Sequence, residues 1–243
     1  MPKDMRMNME LAKLKASLIG QVRKNEIVAN NLANINTTGF KKDRLFLELL
    51  EGDETAGEKV NFRTDFRTGQ LQTTDNPLDV AIAGEGYLVV EEDSGETALT
   101  RNGHLRISAD GRLETADGKP VLGENGWIQV TSPDAILADF TITQSGEIYA
   151  NEQFLDRLQL VNYENPESLI KLGGNLFQAT DESVPMLIGD SQVQQGFLEN
   201  SNVNPVEEMV QLVELQRQFE SVQRMVRSLD DTFKLAANQV GKV

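Results

Sequence analysis

The side chains best suited to chemistry are sparse in this sequence. Histidine occurs once, at His104, and cysteine is absent. Thiolate nucleophiles, disulfides and cysteine-based zinc sites are thereby excluded, and any Ser–His couple has a single histidine on which to rest. His104 follows Asn102-Gly103, a dipeptide that favours tight turns, so it reads as a surface residue rather than a base. Carboxylates are plentiful, but Asp110 and Asp117 head Asp-Gly turns, and the Asp-x-Asp-x-Asp-Gly spacing of a calcium loop is missing. GEGYL at 84–88 has two glycines but lacks the third glycine and following helix of a dinucleotide loop. No catalytic, cofactor or metal site is expected.

One polar concentration remains, NNLANINTTGFKK at 30–42. Asparagine is a poor helix former, yet Asn30, Asn31, Asn34 and Asn36 crowd the end of a helical pattern beside Leu32 and Ile35. An asparagine amide donates and accepts, so several on one helix end suit bonding to a loop or to a neighbouring subunit. The alternative is that Asn34 to Thr38 simply unwind the helix ahead of Gly39.

Two helical segments and a β-rich middle must position these groups. Leu11, Leu14, Leu18, Val28, Leu32 and Ile35 alternate at spacings of three and four once Gln21 and Asn25 are counted as polar members. A helix over 9–35 is predicted, with Gly39 as its C-terminal cap. Near the other end, Leu212, Leu215, Phe219, Val222, Val226, Leu229 and Phe233 keep the same alternation. Asn204 stands as N-cap, Pro205 at the first helical position, and Glu207 and Glu208 in the first turn. Glu199-Asn200-Ser201-Asn202 reads as part of the same capping segment. A helix from 205 to 240 is roughly 54 Å long at ~1.5 Å per residue, and its narrow apolar seam wants a partner helix. Arg217, Arg224 and Arg227 form a rough stripe on it that suits an acidic neighbour.

Between the helices, short β-prone runs alternate with glycine turns: EDSG, RNG, ADG twice, ENG and QSG, about 8 to 10 residues apart. The expected fold class is α+β, a central all-β domain of short hairpins flanked by long terminal helices. The helices' heptad seams are expected to pack together and with neighbouring subunits. The expected divisions are 1–45, a 46–75 linker or extended segment with a loop at 51–58, an all-β domain at 76–199, and 200–243. The helices are expected to be largely unordered in the free chain.

The chain of 243 residues carries a net charge of −15. Residues 1–45 hold +5, residues 46–199 hold −19 and residues 200–243 hold −1. Nucleic-acid binding is not expected, because the basic residues are diluted by aliphatics and the acidic body repels phosphates. Complementary parts meeting in neighbouring subunits explain the asymmetry as well. No apolar run reaches 18 residues, so no membrane span is expected, and the N-terminal segment does not read as a secretory signal.

Four blocks resemble one family. ANNLANINTTGFKKDR (29–44) is similar to the N-terminal signature of the bacterial flagellar rod and hook proteins. TDNPLDVAIAGEGYLVV (74–90) and LTRNGHLRISADGRLETADGKPVLG (99–123) resemble the family's entry into its β domain and a repeated hairpin block. GFLENSNVNPVEEMVQLVELQRQFE (196–220) resembles the C-terminal signature. The short spacing between the first two blocks suits a proximal-rod member, with a distal-rod member as the alternative. The resemblance implies a structural subunit of the basal-body rod in the periplasm, without enzymatic activity or cofactor. It implies type III export without a cleaved signal, and helical polymerisation with itself and other rod and hook proteins around an export channel. On that reading Leu11, Leu14, Leu18, Asn30, Asn31, Leu32, Asn34, Ile35, Leu212, Leu215, Phe219, Val222, Val226, Leu229 and Phe233 are interface residues. Without the resemblance, the residues alone also suit a β-rich binding module on a helical stalk, which would close at a fixed small number of copies.

Overall fold

The computed structural model describes residues 3–48, 59–130, 140–186, 189 and 191–240. The 51–58 loop expectation lies outside them. Side chains of the helical residues 3–17 and 229–240, Leu11, Leu14, Leu229 and Phe233 among them, lie outside the described structure as well.

The chain forms two compact units. The first comprises 1–33, 43–63 and 204–243, and the second 34–42 and 64–203. Two α-helices, α1 (Lys3–Ala33) and α2 (Pro205–Val240), belong to the first unit with strands β1 (Asp43–Glu48) and β2 (Lys59–Thr64), which pair with each other. Asn204 caps α2, its Oδ1 accepting the N–H groups of Val206 at 3.1 Å and Glu207 at 3.5 Å. This satisfies donors that the first turn leaves open, and Pro205 forfeits none.

The second unit is built from β3 (Leu71–Thr73), β4 (Val80–Ala83), β5 (Tyr87–Glu91), β6 (Thr97–Thr100), β7 (Leu105–Ile107), β8 (Leu113–Thr115), β9 (Leu122–Gly123), β10 (Gly126–Trp127), β11 (Phe140–Ile142), β12 (Glu147–Ala150), β13 (Gln153–Arg157), β14 (Leu160–Tyr163), β15 (Ile170–Gly173), β16 (Leu176–Gln178), β17 (Pro185–Met186), β18 (Gln192–Gln195) and β19 (Phe197–Glu199). A six-stranded sheet runs β15-β16-β6-β5-β14-β17, and a three-stranded one β11-β12-β13. Local hairpins follow the turn residues. The backbone has positive φ at Gly95, Gly111 and Gly146, in the connections β5–β6, β7–β8 and β11–β12, and at Gly126, which opens β10. Glycine takes that conformation without a Cβ penalty. Two pairings are long-range instead: β3 with β19, and β4 with β18. The core lies here, with Val80, Leu88, Val90, Leu113, Val121 and Ile148 among its fully enclosed members. A second cluster packs Tyr87 and Phe177 with Phe66, their ring centroids 5.3 to 6.3 Å apart.

Two sequence expectations need correction. RNG at 101–103 is not the turn of a hairpin. Gly103 is there because Val80 O lies 1.7 Å from where a Cβ would stand, while Val80 N–H donates to Gly103 O at 2.9 Å. Gly39 does not cap α1. Its N–H donates to Glu199 O at 2.7 Å, and its φ of +68° holds it against the Arg101 backbone.

Candidate assembly interface

In the first unit α1 runs beside α2 in antiparallel sense. Leu215 and Phe219 lie with Gln21, Val22 and Asn25 around one cleft, and Val222 and Val226 lie with Leu18 and Phe219 around the next. Of the residues expected at an interface, Leu215 is buried, Leu18, Leu212, Val222 and Val226 are half-buried, and Phe219 is 40 % exposed. The helix pair thus brings Leu18, Leu215, Phe219, Val222 and Val226 together, with aliphatic carbon left facing outward along the groove.

The asparagines separate into different roles. Asn31 is buried and fully engaged within its own unit. Its amide donates to Asp43 O at 2.9 Å and to Glu208 Oε2 at 3.3 Å, and its Oδ1 accepts from Asp43 N–H at 3.0 Å. One side chain therefore ties the end of α1 to the start of β1 and to the first turn of α2. Asn30 is exposed, and Leu32 is half-buried. Asn34 and Ile35 follow the helix, both half-buried, in the second unit. Asn34 O and Oδ1 accept from Thr37 N–H and Oγ1 at 3.1 and 3.2 Å, a side-chain-supported turn that ends the helical path.

Sequence reasoning missed a buried charged junction in the second unit. Glu199 Oε1 accepts from Lys41 Nζ at 2.6 Å and from Gly69 N–H at 2.8 Å, while Oε2 accepts from Arg101 at 3.2 Å. Lys41 Nζ also donates to Arg67 O at 2.9 Å, and Arg101 donates to the carbonyls of Ile82 and Gly84. All three side chains are enclosed. Burial pushes the Lys41 amine below its usual range, against the opposing pull of Glu199. The Arg101 guanidinium lies over the Tyr87 ring, whose hydroxyl burial pushes up. Asn202 completes the junction, Oδ1 accepting Lys42 N–H at 2.8 Å and Nδ2 donating to the carbonyls of Asp65 and Arg67 at 2.7 and 3.0 Å. Glu199 and Asn202 are therefore a knot between distant segments, not helix caps. No local signal marks them, because their partners lie more than 95 residues away in sequence.

His104, the single histidine of the sequence, has its Nδ1 2.7 Å from Asp79 Oδ1 with half the imidazole exposed. Among the described residues no cluster of His, Asp or Glu is placed to hold a metal ion, and no helix is long and apolar enough to cross a membrane.

Three family models match the chain. They are "Flagella basal body rod protein" over residues 18–41, "Flagellar hook protein FlgE/F/G D1 domain" over 81–150, and "Flagellar basal body rod FlgEFG protein C-terminal" over 194–239. The flagellar basal-body rod protein FlgF of Caulobacter vibrioides is 34% identical over 231 residues, covering 91% of this chain and 93% of the relative. The chain belongs to the flagellar rod and hook family. FlgF of Salmonella typhimurium is 32% identical, covering 84% of this chain and 87% of its own. FlgG of Agrobacterium fabrum is 32% identical, covering 88% and 93%. The family is one of structural proteins rather than enzymes. Its models meet the structure at telling places: the first spans the end of α1 with Asn31 and Lys41, and the last takes in Glu199, Asn202 and α2.

Proposed function

We propose that this chain is a structural subunit of the flagellar basal-body rod, a proximal-rod member with the distal-rod protein as the alternative. It polymerises helically through its terminal helices into the drive shaft that transmits torque to the hook and encloses the export channel. The observation that carries this is the helix pair: Leu18, Leu215, Phe219, Val222 and Val226 form one seam whose groove is left open by the described residues. Residues 1–45 and 200–243 supply the inner core, 46–75 link it to the β domain at 76–199, and heptad contacts extend the seam to neighbouring subunits. Leu11, Leu14, Asn30, Leu32, Asn34, Ile35, Leu229 and Phe233 join that interface, and Asn31 holds its geometry from within the subunit. The partners are further copies and other rod and hook proteins. The type III export apparatus delivers the chain to the periplasmic rod by a route that uses no cleaved signal.

The first test is genetic and biochemical. Deleting the encoding sequence is expected to abolish swimming, and the restored chain is expected to co-purify with isolated basal bodies. A motile deletion strain would remove the proposal. A second test concerns order. In the purified free chain, amides of α1 and α2 are expected to exchange within seconds to minutes, while those of β4 to β19 remain protected. Equal protection of both units would mean that the helix pair is self-sufficient, and would favour a closed oligomer on a stalk.

A further inference from the structure

Two Asn-Gly pairs occur in the chain, Asn102-Gly103 and Asn125-Gly126. An asparagine followed by glycine can modify itself, because the glycine, lacking a Cβ, leaves its backbone nitrogen open to the asparagine side chain. The fold separates the two pairs. Gly103 is buried, and Val80 O lies 1.7 Å from where its Cβ would stand. Its carbonyl accepts from Val80 N–H at 2.9 Å. Asn102 N–H donates to Thr100 Oγ1 at 3.0 Å, and Asn102 Oδ1 accepts from His104 N–H at 3.2 Å. That pair is clamped on both sides. Asn125 is exposed, and apart from its chain neighbours no atom lies within 4 Å of where a Cβ on Gly126 would stand. It sits in the short connection between β9 and β10, and its side chain ties that connection to β13. Asn125 Nδ2 donates to Asp156 Oδ1 at 2.9 Å, and Asp156 is buried.

We propose that Asn125 is a site of spontaneous covalent modification, and that its conversion cuts the tie between the β9–β10 turn and Asp156. The Gly126 nitrogen attacks Asn125 Cγ. The bond from Cγ to Nδ2 breaks, and ammonia leaves with the proton of Gly126 N–H. The cyclic imide so formed takes up one water and opens at either carbonyl, giving aspartate or isoaspartate. Nothing is oxidised or reduced, and no enzyme is needed. The group lost is the donor to Asp156, and the group gained is a carboxylate facing it. Asp156 keeps the N–H groups of Asn125 at 3.3 Å and Arg157 at 2.8 Å, but a second negative charge now stands beside it. Isoaspartate also lengthens the backbone of the turn by one methylene, against a register fixed by Glu124 N–H donating to Arg157 O at 2.9 Å.

The purified full chain, kept at neutral pH and sampled over time, is followed by peptide mass mapping of both pairs. Asn125 is expected to convert at least about tenfold faster than Asn102, since a clamped site reacts only in its locally opened fraction. In urea, where the clamp is gone, the two should convert at similar rates. Equal rates in the folded chain would overturn the site. So would an unchanged Asn125 in the folded chain after both pairs have reacted in urea. The consequence is read on variants by urea unfolding of the β-rich unit. The natural chain should be the most resistant, Asn125→Ser, which removes the donor without adding a charge, less so, and Asn125→Asp the least. An Asn125→Asp midpoint equal to that of the natural chain would overturn the loss of the tie. Each of these outcomes leaves the rod reading untouched.

Discussion

Leu215→Glu is expected to abolish incorporation into basal bodies and all swimming, while the β-rich unit of the variant stays folded. Leu215 is 4% exposed, with Val22 and Phe219 around the same cleft. Burying a leucine side chain is worth about 1.5–3 kcal/mol, and an unpaired carboxylate in its place adds a desolvation penalty of several kcal/mol. In a polymer every copy carries the defect and every contact repeats it, so the loss compounds along the shaft. Urea unfolding of the purified variant should leave the transition of the β-rich unit where it was, since Leu215 belongs to the other unit. Swimming cells would show that the seam does not drive assembly. A shifted β-unit transition would show that the lesion is a general folding defect.

The second large effect is expected at the charged junction. Glu199→Ala should destabilise the β-rich unit by about 3–5 kcal/mol, because it leaves Lys41 and Arg101 enclosed without their counter-charge. Small domains are stable by only about 5–15 kcal/mol, so the variant would sit near the edge of folding at room temperature. Glu199→Gln should lose less, since its amide oxygen can still accept from Lys41 or from Gly69 N–H. Urea midpoints of the three proteins decide the matter. A loss below about 1 kcal/mol for the alanine variant would mean that water enters the junction and solvates both cations.

These two sites differ in how much of them the sequence discloses. The apolar repeat on α2 and its Asn204-Pro205 start are local patterns, legible because capping and helical period act within a few residues. The hairpins at 109–111, 124–126 and 144–146 are legible for the same reason, their glycines supplying left-handed backbone between neighbouring strands. Arg101-Asn102-Gly103 has the same local signature and misleads, because its glycine answers to Val80, more than twenty residues earlier. The β15–β16 connection at Gly173, Gly174 and Asn175, all at positive φ, was not among the turns read from the sequence. Glu199 is opaque from sequence: a glutamate ahead of a helix looks like a cap, and only the fold brings Lys41 and Arg101 to it. Asn31 is opaque likewise, since its partners Asp43 and Glu208 lie on separate segments.

The pairings of β3 with β19 and of β4 with β18, together with the Lys41–Glu199 contact, carry a consequence in time. Loop-closure entropy must be met before such distant contacts stabilise anything, so folds closed this way form slowly. In a chain synthesised from its N-terminus the local hairpins can close early, but Lys41 waits for Glu199 and β3 for β19 until almost the whole β-rich unit has been made. The strand and the glutamate that close the β-rich unit therefore stand only a few residues ahead of α2, and the unit closes as the last helix begins.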